Sequence, residues 1–142
     1  MIRYILMYMG VLPFIGSAFL IAKAGIDLPL GLDAQKVIGT YALLIGAFMA
    51  GVHWGQHLEK PPIHPTALII LSNVVALAFW FSYLLLNSSA FLIVAAIMFL
   101  VILLIDLLMA KHLAIEKTYA IHRSIVTGMV IASLAFASSV TA

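Results

Sequence analysis

Gly46-Ala47-Phe48-Met49-Ala50-Gly51-Val52-His53-Trp54-Gly55-Gln56-His57 separates a membrane bundle from any water-soluble alternative. It lies within an apolar run from Val37 to Leu58, which at ~1.5 Å per residue is long enough to cross a ~30 Å hydrocarbon core. Ala47, Gly51 and Gly55 recur at every fourth residue. One stripe of this helix therefore carries almost no side chain and lets another helix approach closely. A second stripe, about 100° away by the helical period, holds Gly46, Ala50, His53 and His57. His53 falls about one turn inside the helix end. A titratable group at that depth is costly against lipid, so it is expected to face protein.

The rest of the chain agrees. Its 142 residues are 65% hydrophobic and only 8% charged, with a mean hydropathy of +1.24. Soluble domains carry roughly 25% charged residues. The apolar residues come in blocks of membrane-span length. Net charge is +2, and the seven basic residues stand outside the blocks, six of them between one block and the next. That distribution orients a membrane protein and forms no nucleic-acid patch. Cysteine is absent, which removes disulfides, thiolate metal sites and a cysteine nucleophile.

Five blocks make one all-α transmembrane domain over residues 1–142. The first, Tyr4 to about Ala22, reads as a retained helix bent at Pro13. A polar loop, Lys23 to Lys36, leads into the second, which Glu59-Lys60-Pro61-Pro62 ends. Pro65 opens the third, to about Leu86, in a first-turn position. Asn87-Ser88-Ser89 turns into the fourth, Ala90 to Ala110. The loop Lys111 to Arg123 precedes the fifth, Ser124 to about Val140. Arg3, Lys60, Lys111, Lys117 and Arg123 fall on one side, and Lys23 and Lys36 on the other. The asymmetry puts the amino terminus in the cytoplasm or its equivalent and the carboxyl terminus outside.

This topology gathers the polar residues in the cytoplasmic third. His53 closes the second span there, Asn73 lies in the first half of the third, Asp106 about a turn inside the fourth, and Arg123 opens the fifth. Tyr119 and Thr127 flank Arg123. A carboxylate set in Leu103-Leu104-Ile105-Asp106-Leu107-Leu108-Met109 must be paired or protonated. Arg123 is the nearest cation by depth and His53 the second choice. The first reading of such a pair is a clamp between two spans. Proton handling or ligand binding is the second. His53 and His57 have the spacing of a helical metal pair, but five scattered histidines do not make a di-iron site, and haem would need a second buried ligand at matching depth. No metal or cofactor is expected. Trp54 and Trp80 read as interfacial anchors or as contacts for a quinone or lipid.

The run Gly10-Val11-Leu12-Pro13-Phe14, then Tyr41, Ile45 and Phe48-Met49-Ala50-Gly51-Val52-His53-Trp54-Gly55, resembles the transmembrane protein 69-like family. That family, of unknown function, occurs in bacteria and mitochondria. The likeness continues through Ser72, Ala76-Leu77, Trp80, Asp106 and the spacing Tyr119-x-x-x-Arg123-x-x-x-Thr127, and so covers nearly the whole chain. Gly51-x-His53-Trp54-Gly55 is its most specific element. His122 stands where relatives tend to carry leucine, and Ala50 replaces a glycine. The resemblance implies a bacterial inner (plasma) membrane or mitochondrial inner membrane setting and supplies no activity.

Nucleophile motifs and phosphate loops are absent, so the chain reads as a non-enzyme. The expected function is to assemble, stabilise or regulate a larger inner-membrane complex, such as a respiratory one. Its contacts would be membrane lipid and a membrane-protein partner, with Ala47, Gly51 and Gly55 as the contact stripe. The alternative is a binder or carrier of a small hydrophobic ligand (quinone or lipid) or of protons. It would use a cluster of His53, Trp54, Asn73, Asp106, Tyr119, Arg123 and Thr127.

Overall fold

A computed structural model describes the backbone of residues 2–24, 27–28, 31–59, 65–113 and 117–141, with their side chains except at 24, 27, 28, 32, 53–59, 65, 110, 112, 113 and 141. The described chain is helical apart from one short pairing. Its elements are α1 (Ile2–Met9), α2 (Leu12–Ala24), β1 (Asp27–Leu28), β2 (Leu32–Asp33), α3 (Ala34–Glu59), α4 (Pro65–Leu85), α5 (Ser88–Leu113) and α6 (Lys117–Thr141). Counting α1 and α2 as one, five helical segments are long and apolar enough to span a membrane, the most apolar being Ser88–Met109 with a mean hydropathy of 3.2. Leu44, Leu85, Ile97 and Leu108 are all exposed. A helix surface this apolar is stable only where lipid replaces water and every backbone group is satisfied within the helix.

The first span bends one turn before the proline. Pro13 has no N–H to donate to the Met9 carbonyl, and α1 ends at Met9, with α2 resuming at Leu12. Between them the Val11 amide makes a tighter bond to Tyr8 O at 3.0 Å, and the Tyr41 hydroxyl donates to the Gly10 carbonyl at 3.0 Å. A polar hand from α3 thus satisfies one carbonyl at the break.

Side chains start two other helices. Asp33 Oδ1 accepts from the Gln35 amide at 2.8 Å and caps α3. It follows a two-residue antiparallel pairing of β1 with β2, entered through Gly31 at φ +68°, the left-handed region glycine favours. Asn87 Oδ1 accepts from the Ala90 amide at 2.8 Å at the head of α5.

The largest boundary correction to the sequence reading falls at the last span, while α3 already begins at Ala34 and α5 runs from Ser88 to Leu113. The helix expected to begin at Ser124 begins at Lys117, so Arg123 lies nearly two turns inside α6 rather than at its opening. Hydropathy marks where lipid begins, not where the backbone starts to coil, and Thr118, Tyr119 and His122 are compatible with a helix in the polar interface.

In section, α2, α3, α4, α5 and α6 form a closed ring, α3 also reaches α5 across it, and α1 packs on α6. The core is aromatic. Phe14 meets Tyr41 and Phe99 edge-on, and Phe79 meets Phe99 with ring centres 5.4 Å apart. Gly46 faces Phe79 so closely that an added Cβ would lie 2.5–2.6 Å from three of its ring atoms. The close approach of α3 to α4 therefore uses the stripe of Gly46 and the buried Ala50. Ala47 and Gly51 lie on the exposed face, and nothing comes within 4 Å of a Cβ added at Gly51.

Candidate functional site

Antiparallel packing brings the start of α1, the end of α5 and the start of α6 to one end of the bundle. There Asp106 on α5 and Arg123 on α6 meet. Arg123 Nε donates to Asp106 Oδ2 at 2.8 Å, and each residue is only 7% exposed. An isolated charge would be expensive at this depth. The two groups neutralise each other, and breaking such a buried pair by removing one member costs about 3–5 kcal/mol. The geometry is that of a clamp between the two helices. Its counterpart lies at the other end, where Ser138 Oγ donates to Ser89 O at 3.1 Å and Ser89 Oγ to Ser138 O at 3.2 Å. The two clamps are roughly 22–26 Å apart by helix rise.

α1 adds an aromatic layer outside the ion pair. The Tyr8 hydroxyl and His122 Nδ1 are hydrogen-bonded at 2.8 Å, and the Tyr4 ring leans on the same imidazole with ring centres 4.7 Å apart. Arg3 lies over the Tyr4 ring at 5.4 Å. Tyr119, half-buried, stands one turn before Arg123, within electrostatic reach of Asp106, Arg123 and Arg3. Tyr4 and Tyr8 were not among the residues singled out from the sequence. Their four-residue spacing, which stacks both on one helix face, is the signal that marks them.

Below the pair, where the first span bends, a cavity of about 170 Å³ opens. Gly10, Phe14, Met49, Phe99 and Val130 form much of its wall. Among the described residues, the polar side chains on it are Arg123 and the buried Thr127. Leu6 and Phe48, also on its wall, are 60% and 66% exposed, so this side faces the bilayer.

The structure therefore brings together Asp106, Arg123, Tyr119 and Thr127 at one end. It does not bring Asn73 there. That side chain lies on the exposed face of α4, and its Nδ2 donates back to Ile69 O at 3.0 Å. Its neighbour Ser72 is the buried residue, bonded to Ile69 O at 2.8 Å. α3 runs through positions 53–55, but the side chains of His53 and Trp54, and the surroundings of Gly55, lie outside the described residues. The same holds for His57, His64 and His112. Among the described residues no three histidine, aspartate or glutamate side chains converge as a metal site would require.

Comparison with known proteins gives a family whose function is unknown. No curated protein and no solved structure matches the chain. A family model described as protein of unknown function (DUF3429) matches residues 2–139, and the chain belongs to that family.

Proposed function

We propose that the protein is a non-catalytic integral membrane protein that assembles, stabilises or regulates a larger complex, docking its partner through the outward face of α3. The observation that carries this reading is the placement of Ala47 and Gly51. Both are exposed in a span-length helix, with open space where a Gly51 side chain would stand. Within hydrocarbon there is no hydrophobic drive between helices, so association depends on close backbone approach, which small residues permit. Leu44 shares this face and supplies an apolar border. The ionisable groups at the polar end support the same reading, because Asp106 and Arg123 pair their opposite charges inside the bundle.

The resemblance to the transmembrane protein 69-like family favours a bacterial or mitochondrial inner membrane, and the basic-residue asymmetry favours a cytoplasmic amino terminus. Purification of the tagged chain in a mild detergent, followed by mass spectrometry, tests the proposal. One reproducible membrane partner, lost on Gly51→Leu, is expected. A monodisperse protein with no partner would overturn it.

A further inference from the structure

We propose that the cavity at the bend of the first span binds a neutral ring with a carbonyl acceptor and an apolar tail, the chemistry of a quinone-type lipid. Three features of the site lead there. The first is Arg123. Its side chain is more than nine-tenths buried, and the residue lines the cavity. Its Nε is used by Asp106, and no described residue accepts a hydrogen bond from Nη1 or Nη2. Donors of a buried cation left without acceptors are costly, and a ligand oxygen in the cavity would take them up. The second is charge. With Asp106 Oδ2 at 2.8 Å the arginine is already neutralised, so a carboxylate or phosphate head would set a second anion beside Asp106 in a low-dielectric site. A carbonyl meets the same donors without that cost. The third is shape. The cavity holds about 170 Å³, and an apolar cavity of ~150 Å³ accepts one benzene ring. Phe14 and Phe99 line it as aromatic neighbours for a ring, and the exposed Leu6 and Phe48 leave a path for a tail into the bilayer. The bend itself makes the room. Gly10 lies on the wall at the point where α1 stops, and its carbonyl is already taken by the Tyr41 hydroxyl.

The test uses the whole protein in nanodiscs with three probes that share one tail: decyl-para-benzoquinone, decanoic acid and decylbenzene. Native mass spectrometry and thermal shift are the readouts. The quinone should give a one-to-one adduct and raise Tm, and should bind about tenfold or more tightly than either other probe. Val130→Phe fills the cavity from α6 without touching the ion pair, and should lose the adduct. Equal binding of decylbenzene would show that no donor reads the head, and tighter binding of decanoic acid would show the wrong charge class. Either result overturns the proposal, as does undiminished quinone binding by Val130→Phe. Should that variant fail to fold, the three-probe comparison on the unaltered chain decides alone.

Discussion

Replacing Gly46 by alanine should destabilise the bundle, whereas the same change at Gly51, five residues along the same helix, should not. A Cβ at Gly46 would stand 2.5–2.6 Å from three atoms of the Phe79 ring. Ordinary carbon contacts are ~3.5–4.0 Å, so the overlap is about 1 Å. Phe79 has no room to yield, being fully buried and packed edge-on against Phe99, which in turn meets Phe14. Forcing a carbon into a core of this kind costs about 1–3 kcal/mol. Alanine also gains up to ~1 kcal/mol over glycine in a helix interior, which offsets part of the loss. The Gly51 variant isolates that gain, since a Cβ there meets nothing within 4 Å. The difference between the two variants is then the steric cost alone, about 1–3 kcal/mol. Reversible unfolding in mixed micelles, followed by far-UV circular dichroism, measures it. Adding Phe79→Leu to the Gly46 variant should recover part of the loss by trimming the obstructing ring. Equal stability of the two alanine variants would refute the placement of the α3–α4 contact.

Three further outcomes follow from the polar contacts. Asp106→Ala or Arg123→Ala alone should lower stability by about 3–5 kcal/mol, while Asp106→Leu with Arg123→Met should cost less than either, because no charge is stranded; thermal melts in detergent compare them. Tyr41→Phe removes the donor to the Gly10 carbonyl and should cost about 1 kcal/mol, with faster hydrogen exchange at residues 10–14 as its signature. Asp33→Ala removes the α3 cap and should cost about 0.5–2 kcal/mol, read as fraying of the first turn of α3 by exchange mass spectrometry.

The five spans were legible because lipid imposes a length and a polarity that no soluble core requires, and because Pro61-Pro62, Pro65 and Asn87 punctuate them. The Asp106–Arg123 pair was legible as well, since a buried carboxylate needs a partner and topology supplied one at the same depth. Helix starts were less so. The residues from Lys117 to Arg123 are mostly polar, and hydropathy read them as loop although they coil. The periodicity of α3 also showed two small-residue stripes without showing which one faces inward. That choice depends on Phe79, more than thirty positions away, whose ring fits over Gly46. Tyr8 and His122 are 114 residues apart, and no local pattern links them. Ser89 and Ser138 escaped notice because isolated serines in apolar helices usually bond their own backbone, as Ser133 does to Met129 O.

The central claim is that the outward face of α3 meets a protein rather than lipid, and photo-cross-linking in the native membrane tests it most directly. Leu44 is 63% exposed and lies on the Ala47–Gly51 side, while Ile97 on α5 is 57% exposed and serves as the control. Each is replaced in turn by para-benzoylphenylalanine. Irradiation should give one discrete protein adduct from position 44, sensitive to Gly51→Leu, and none from position 97. Lipid adducts alone from both positions would contradict the account.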